Sequence, residues 1–405
     1  IDNVVDETKL KDALVADFTE VTVAAGDSIL LGDADDSGNT KRDTVQGILD
    51  LAGGAPSFRN LLINGDMSIA QRGTTTSSVS SGSTYVVDRF FVHVVNGGTW
   101  TMSQDTDVPS GSGFANSIKL DCTADDASLA AADYIAMQYR FEGQHLQTLK
   151  KGTASAESVT LSFWVKSVKT GTFTAHLLDG DNSRTISQTY TVDSGSTWEK
   201  KTLTFAGDTT GAFNNDNAIS MTLLLWLAAG SNWSSGTLST SWAASVQANW
   251  VSPSQVNIAD STSNDFWITG LQLETGSSAT DFEFVPYDYN LRRCLRYYTG
   301  NPSGGNVTQG GIKGASGVWR SSTVFDVFAT YGGVMRAQPT ITISTATPNV
   351  AEMAVGNKVG SGSTIAGSTT SGDSKSVFSI NGFTGATAQN AGAMLNGQVE
   401  FDAEL

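Results

Sequence analysis

Few residues of this chain have the type and spacing that catalysis needs. Its three histidines are His93, His145 and His176, and no two of them have the spacing of a helical metal site. No serine lies in a G-x-S-x-G turn, and neither cysteine has a neighbouring base in the sequence. We therefore predict no catalytic residue, no metal site and no cofactor. Two carboxylates are enough for glycoside hydrolysis, so an acidic chain leaves that enzyme class open.

Two acidic motifs have part of the pattern of a cation site. The stretch "DADDSGN" (Asp33–Asn39) spaces its oxygens like a calcium loop, but Thr44 occupies the position of the closing glutamate, which favours a solvated turn. Near the end of the chain, Glu400, Asp402 and Glu404 alternate with apolar residues. These acids could gather around a cation, but the favoured interpretation is the solvent face of a final strand.

Sugar recognition is the chemistry that the aromatic residues favour. Aromatic rings stack on the C–H faces of pyranose rings, while amide and carboxylate side chains bind the hydroxyls. The polar stretch "SNWSSGTLSTSWAASVQANW" contains Trp233, Trp242 and Trp250 without the alternation of a strand. We predict these three tryptophans as candidate ligand-binding residues. The alternative is a packing role, above all for Trp242.

Composition and charge limit the possible partners. The chain has 405 residues, and 40 acidic against 24 basic residues give a formal net charge of −16. Such a charge repels a phosphate backbone, so no nucleic acid partner is expected. The best apolar run, "MTLLLWLAA", is about half of the roughly 20 residues that cross a bilayer, which predicts a buried strand and no membrane insertion. No secretory signal is visible, and Cys122 alternates with Ile118 and Leu120 as a buried thiol would.

Strand periodicity dominates the middle of the chain. Only 16% of the residues are charged and 42 are glycine, which is typical of short strands and many turns. The segment "SVTLSFWVKSV" has apolar residues at alternate positions, namely Val159, Leu161, Phe163 and Val165. The segment "ISMTLLLWLAAG" repeats this alternation over 219–227. Many such strands predict a two-sheet antiparallel β-sandwich of the jelly-roll type.

We predict a mainly β chain of four parts. Residues 1–54 form a small α/β module with a strand at "DSILLGDA" and a helix in "DTVQGILDLAGG", and 55–286 form the jelly roll. A short helix over 287–298 leads to a C-terminal β domain, 299–405, with strands at "STVFDVFAT", "PTITIST", "SVFSING" and "GQVEFDAEL". The first and last parts have few large apolar residues for a monomeric core, which favours burial between chains.

Several sequence blocks resemble a widespread family of bacteriophage tail fibre and other virion appendage proteins. They are "NLLINGDMSIAQRG" (60–73), "DRFFV" (88–92), "SFWVKS" (162–167), "TLSTSWAASVQANW" (237–250), "STSNDFWITG" (261–270) and "GLQLETGSSATDFEFVPYDYNLRRCLRYY" (270–298). The middle of the chain also resembles carbohydrate-binding jelly rolls. It has Gln272 and Glu274 where their last strand often carries paired aspartates, so the resemblance does not carry over their structural calcium site.

The resemblance implies a homotrimeric tail fibre on the exterior of the virion. The first module is similar to the short shaft elements of such fibres and the final domain to their variable tips. By this resemblance the N-terminal side meets other tail proteins. The partner on the cell is then a host-surface glycan or an outer-membrane receptor.

The run over 287–298 is expected to couple the sandwich to the tip. If Pro286 begins a helix, the apolar stripe consists of Tyr287, Leu291, Cys294, Leu295 and Tyr298, with Arg292, Arg293 and Arg296 at its sides. Three such stripes could meet on an axis, with the arginines bridging to carboxylates of neighbouring chains. The alternative is a cationic patch for an acidic glycan.

The leading hypothesis is a structural and adhesive fibre protein without catalytic activity. One alternative is a tail-associated polysaccharide depolymerase, which usually shows a long parallel β-helix with short repeats. No such period is found in this sequence. The other alternative is a secreted, monomeric carbohydrate-binding module.

Overall fold

The computed structural model describes residues 27–33, 39–45 and 58–300, together with 316–330, 334–343, 349–352, 356–359, 365–370, 375–381, 383, 386, 391–396 and 399–405. The chain divides into two units, Ile1–Ser57 and Phe58–Leu405. In the first unit, β1 (Ser28–Asp33) and β2 (Asn39–Thr44) form an antiparallel hairpin, so the strand predicted at "DSILLGDA" is present. The calcium-like loop and most of the other elements predicted before residue 55 lie outside the described residues.

The second unit begins with an antiparallel sandwich built from eleven strands. The strands are β3 (Thr75–Val87), β4 (Phe90–Asp105), β5 (Ser117–Ala124), β6 (Tyr134–Glu142), β7 (Val159–Ser167), β8 (Gly171–Asp179), β9 (Arg184–Val192), β10 (Glu199–Phe205), β11 (Ile219–Ala229), β12 (Ala243–Ala244) and β13 (Asp265–Thr275). Their order is β10-β7-β13-β5-β4-β6-β11-β8-β9-β12, with β3 beside β4. The curled sheet confirms the predicted mainly β fold with a jelly-roll sandwich.

The long strand β4 connects the two layers of the sandwich. Its first half pairs with β6 over Phe91–Val95 and its second half pairs with β5 over Thr99–Asp105. One layer therefore contains β5, β13, β7 and β10, and the other contains β6, β11, β8, β9 and β12. The strand bends between its halves, where Asn96 and Gly98 have positive φ angles of 48° and 77°.

The bend in β4 requires glycine at position 98. A Cβ atom on Gly98 would lie 2.5 Å from the Ala124 carbonyl oxygen, and its φ is unfavourable for L-residues. We expect Gly98→Ala to lower the free energy of unfolding by about 2–3 kcal/mol, measured by chemical denaturation. Gly82→Ala is the matched control, because Gly82 has a φ of +82° and nothing within 4 Å of the added Cβ. Equal losses for the two variants would show that the contact with Ala124 does not matter.

The inner faces of the two layers form one hydrophobic core. The four inner residues predicted in β7 all lie in this core, as predicted, although most of the other residues of the strand are buried too. The predicted inner residues of β11 lie in this core from Met221 onward, but Ile219 is 38% exposed because the register shifts between Ile219 and Met221. Cys122 is a buried free thiol in this core, as predicted.

Four short 3₁₀ helices and two α-helices lie between the strands of the described residues. The 3₁₀ helices are Gly143–His145, Gln147–Leu149, Gln247–Asn249 and Ile258–Asp260. The α-helices are α1 (Ser231–Ser234) and α2 (Tyr287–Leu295). Helix α2 begins directly after Pro286, as predicted, but it ends at Leu295, before the predicted end at residue 298. No described helix is both long enough and apolar enough to span a membrane.

The C-terminal part contains two further antiparallel sheets, ordered β14-β23-β17 and β19-β18-β22-β15-β16-β21-β20. The strands are β14 (Tyr298–Thr299), β15 (Ser316–Trp319), β16 (Val324–Thr330), β17 (Thr340–Ile343), β18 (Asn349–Glu352), β19 (Gly356–Val359), β20 (Ile365–Thr370), β21 (Lys375–Asn381), β22 (Ala391–Asn396) and β23 (Val399–Asp402). All four strands predicted in this part are present. A separate core packs Trp319, Phe325, Phe383 and Phe401 together.

Candidate functional site

Two of the three predicted tryptophans meet on the outer face of the sandwich. The ring centroids of Trp233 and Trp250 are 5.5 Å apart, and both rings pack on Trp226 of β11. Tyr134 of β6 contacts Trp233 at 4.8 Å, and His93 of β4 stacks on Tyr134 at 5.4 Å. The rings of His93, Tyr134, Trp233 and Trp250 are half-buried, and we call these four residues the aromatic surface.

The segment over 231–252 holds these rings against the sheet. Its backbone closes on itself where the Val251 amide donates to the Trp233 carbonyl at 3.1 Å. It is tied to β9 because the Ser187 hydroxyl donates to the Trp250 carbonyl at 2.7 Å. Trp226 is fully buried beneath the segment. Strand β11 is therefore covered on both faces, which explains why its sequence is an almost continuous apolar run.

Hydrogen bonds fix the rings of the aromatic surface. The Trp233 indole donates to the Ala132 carbonyl at 3.3 Å, and the Trp250 indole donates to the Ser245 hydroxyl at 2.9 Å. Since the ring orientations are set before a ligand arrives, binding to the exposed ring edges and faces would cost little side-chain entropy. This arrangement suits stacking on a sugar ring.

The aromatic surface is electrically neutral at pH 7. Burial and the neighbouring Arg140 hold the pKa of His93 below its usual range, and burial lowers the pKa of His176, which lies under the rings, to about 3. No lysine or arginine lies over these rings in the part of the chain that the structure describes. The chemistry offered is ring stacking and neutral hydrogen bonding.

Trp242, the third predicted tryptophan, lies away from the other two. Its indole donates to the Ala206 carbonyl at 2.7 Å, and Lys151 Nζ lies 5.2 Å from its ring. Lys151 is buried and pairs with Asp179 at 2.6 Å and Asp208 at 3.1 Å. The cavity beside Trp242 has a volume of about 20 Å³, room for a water molecule or two and not for a sugar.

The predicted coupling residues contact their own chain at several points. Cys294 is fully buried in the sandwich core, and Leu291 packs against that core. The Arg296 guanidinium makes two hydrogen bonds to Glu142, at 2.9 and 2.7 Å. The other predicted members divide between buried and exposed positions: Tyr298 is buried, Leu295 and Arg293 are half-buried, and Tyr287 and Arg292 are exposed.

Two arginines that the sequence analysis did not single out connect the sandwich to β23 and the residues after it. Arg89 lies 3.5 Å from the Tyr297 ring centroid and forms an ion pair with Glu404. Arg72 lies between the rings of Tyr298 and Tyr85, at 3.5 and 4.2 Å. Both arginines occur in blocks that carried the resemblance, "AQRG" and "DRFFV".

The interpretation of the last acids as a solvent face is wrong for Glu404. The Glu404 side chain is only 5% exposed and pairs with Arg72 and Arg89, whereas the Asp402 side chain is 42% exposed. Strand β23 ends at Asp402, so Glu404 is not constrained by its alternation and turns toward Arg72 and the buried Arg89. Arg72 also pairs with Asp402 at 3.1 Å.

A second group of tryptophans lies on the outer face of the opposite layer. Trp267 of β13 lies under Lys166, 4.0 Å from its ring, and donates to Asp105 at 3.3 Å. Trp198 is half-buried and donates to Asp107 at 2.9 Å. The signal for Trp267 was present in "DFWITG", where the tryptophan alternates with the core residues Phe266 and Ile268.

Gln272 and Glu274 hydrogen-bond to each other at the end of the sandwich. The Gln272 amide donates to Glu274 Oε1 at 2.9 Å and to Thr280 Oγ1 at 3.1 Å. The Glu274 carboxylate also accepts from the Thr280 amide at 2.9 Å. Among the described residues, no three His, Cys, Asp or Glu side chains lie together as metal ligands would.

Comparison with known proteins gives only distant similarities. No protein-family model and no curated protein matches the chain. The enzymatically active domain of bacteriophage CBA120 tailspike protein 4 is 14% identical over 54% of this chain and 21% of its own, with a TM-score of 0.29.

Two carbohydrate-binding modules are similarly distant. TmCBM61 in complex with β-1,4-galactotriose is 12% identical over 54% of this chain and 99% of its own, with a TM-score of 0.26. The family 11 carbohydrate-binding module from Clostridium thermocellum in complex with a mixed-linked tetrasaccharide is 11% identical over 51% and 97%, with a TM-score of 0.24. This chain thus spans about a fifth of the tailspike chain and nearly all of each module. These scores are too low to establish a shared function.

Proposed function

We propose that this chain is a structural and adhesive component of a bacteriophage tail, a homotrimeric tail fibre that binds a host-surface glycan without catalysis. The observation that carries the proposal is the convergence of Tyr134, Trp233 and Trp250 into one half-buried, neutral aromatic surface. Rings that are fixed in place and partly open to solvent suit the apolar faces of sugars. The order of the resembling sequence blocks supports the phage assignment and a location on the exterior of the virion.

The two alternatives predict different observations. A depolymerase of the β-helix type has parallel strands, whereas all strand pairs among the described elements are antiparallel. It would also release reducing ends from host polysaccharide. A secreted carbohydrate-binding module would be monomeric. The tail-fibre proposal requires several copies, and it places other tail proteins at the N-terminal side.

Removing the aromatic surface should weaken glycan binding. We expect Trp233→Ala and Trp250→Ala each to lower the affinity for purified host-surface polysaccharide roughly fivefold, because a lost ring contact costs about 1 kcal/mol. Calorimetry or a glycan array measures the change, and circular dichroism verifies the fold. The matched control is Trp198→Ala, which removes a half-buried tryptophan from the opposite layer. Unchanged binding by the Trp233→Ala/Trp250→Ala double variant, or cleavage of the polysaccharide, would contradict the proposal.

A further inference from the structure

Large aromatic side chains are exposed together where the sandwich meets helix α2. Phe58, Phe284 and Tyr287 are 57%, 52% and 52% exposed, and Tyr289 is 36% exposed. The Phe58 and Tyr289 rings are 5.0 Å apart, and Phe284 packs on Phe114 at 5.1 Å. We call Phe58, Phe284, Tyr287 and Tyr289 the junction patch. Exposed aromatic groups of this size usually mark an interaction site.

Charges of both signs surround the junction patch. Arg292, Asp281 and Asp288 are exposed, and Arg293 is half-buried. None of these four side chains makes an ion pair within the residues that the structure describes. The charges of the four cancel, although the chain as a whole carries a net charge of −16. Because this surface carries both signs of charge, the cations of one copy can meet the anions of the next copy around a three-fold axis.

The area of the patch also fits an interface between copies. A buried aromatic side chain removes about 150–250 Å² from water, so four rings that are about half exposed offer roughly 400 Å² per copy. A stable interface buries about 800 Å² per partner. The rings therefore supply about half of that area, and the surrounding charged side chains are placed to supply the rest as a polar rim.

We propose that the junction patch is the contact surface between copies of this chain. This inference rests on the proposed function, since a fibre requires several copies. It keeps Tyr287, Arg292 and Arg293 from the predicted coupling residues. It leaves out Cys294 and Arg296, because both are engaged within their own chain. The partner is a second copy because two cations and two anions find opposite charges on an identical surface. A purely acidic or purely basic partner would leave one of these pairs unmatched.

The mass of the full chain in solution tests the proposal. We expect the wild-type chain to be oligomeric at micromolar concentration by sedimentation equilibrium. The variants Phe284→Ser/Tyr287→Ser and Arg292→Glu/Arg293→Glu should each reduce the mass to that of one chain, with unchanged circular dichroism. The matched control is Phe328→Ser on β16, where the side chain is 51% exposed and outside the patch. It should remain oligomeric.

The outcomes separate this inference from the proposed function. A monomeric wild-type chain, or oligomers that persist in both variants, would overturn the inference. Monomeric variants that still bind immobilised glycan, with weaker retention from lost multivalency, would support both proposals. Monomeric variants of a chain that binds no glycan would support the contact surface alone and reject the adhesive function.

Discussion

Arg89→Ala is expected to lower the free energy of unfolding by about 3–5 kcal/mol, since it removes the buried arginine from the Glu404 carboxylate, which keeps only its 3.4 Å contact with Arg72. The Arg89 side chain is 2% exposed and pairs with Glu404, which is itself only 5% exposed. Arg89 also donates to the Arg140 carbonyl at 2.7 Å and stacks on Tyr297. Burial alone would lower the pKa of the guanidinium, but Glu404 and the surrounding tyrosines raise it above its usual value. Arg89 is therefore charged at any pH at which the chain is folded.

Urea denaturation measures the effect of Arg89, and two further variants define its origin. The double variant Arg89→Ala/Glu404→Ala should lose less stability than the sum of the single variants, because it removes both buried charges together. Arg320→Ala is the surface control. Arg320 pairs with Asp326 at 2.8 Å, but its side chain is 58% exposed, so the expected loss is below about 1 kcal/mol. Additive losses at Arg89 and Glu404 would mean that the two residues do not stabilise each other.

The strands of the sandwich could be predicted because their signal is local. Successive residues of a strand point to opposite faces, so the residues of β7 and most of β11 that enter the core are two apart in the sequence. The deviation at Ile219 comes from a change of register, which depends on the partner strand β6. Sequence periodicity contains no information on that pairing.

The ionic contacts between the sandwich and β23 could not be predicted in the same way. Arg89 and Glu404 are 315 positions apart in the sequence. An acid that alternates with apolar residues has the same pattern whether it faces water or a buried arginine. Only the fold brings the two side chains together, so the interpretation of Glu404 as solvent-exposed was wrong.

The tryptophans show both what the local sequence predicts and what only the fold determines. The lack of alternation around Trp233 and Trp250 correctly predicted that they lie outside the strand pattern, but Tyr134 and His93 join them from strands distant in sequence. The same reasoning placed Trp242 with them, whereas its indole packs near Lys151. Composition of a loop indicates which residues are available, and the sheet beneath it decides which of them converge.

The stability of the chain should depend on pH through His176, which is fully buried under Trp226 and Trp250. Burial lowers its pKa to about 3, against a usual value of about 6.5 in an unfolded chain. Between these values the unfolded chain binds a proton that the folded chain excludes. The contribution of His176 to stability is therefore complete above pH 6.5 and is lost as the pH falls toward 3. Between pH 6.5 and 4 the loss is roughly 3 kcal/mol.

Other buried groups titrate in the same pH range. The contribution of His176 is therefore measured as the difference in the free energy of unfolding between a His176 variant and wild type. Burial raises the pKa of Asp88 to about 6, and as the pH falls from 6 this carboxyl takes up its proton first in the folded chain. Its contribution to stability therefore rises toward acid pH, opposite in sign to that of His176. We expect His176→Gln to have a lower free energy of unfolding than wild type at pH 7. This difference should shrink by about 3 kcal/mol at pH 4.

The sign of the difference identifies the group that titrates. Denaturation of each variant and the wild type at pH 7, 5.5 and 4 gives the differences. Asp88→Asn should show the opposite trend: its free energy of unfolding should fall relative to that of wild type as the pH falls. His93→Gln should change little, because His93 is only half-buried. A His176→Gln deficit that stays constant from pH 7 to 4 would mean that His176 is protonated as readily in the folded chain as in the unfolded one. That result would require solvent to reach the cluster beneath Trp226 and Trp250, and the rings of the aromatic surface would then not be held rigidly in place.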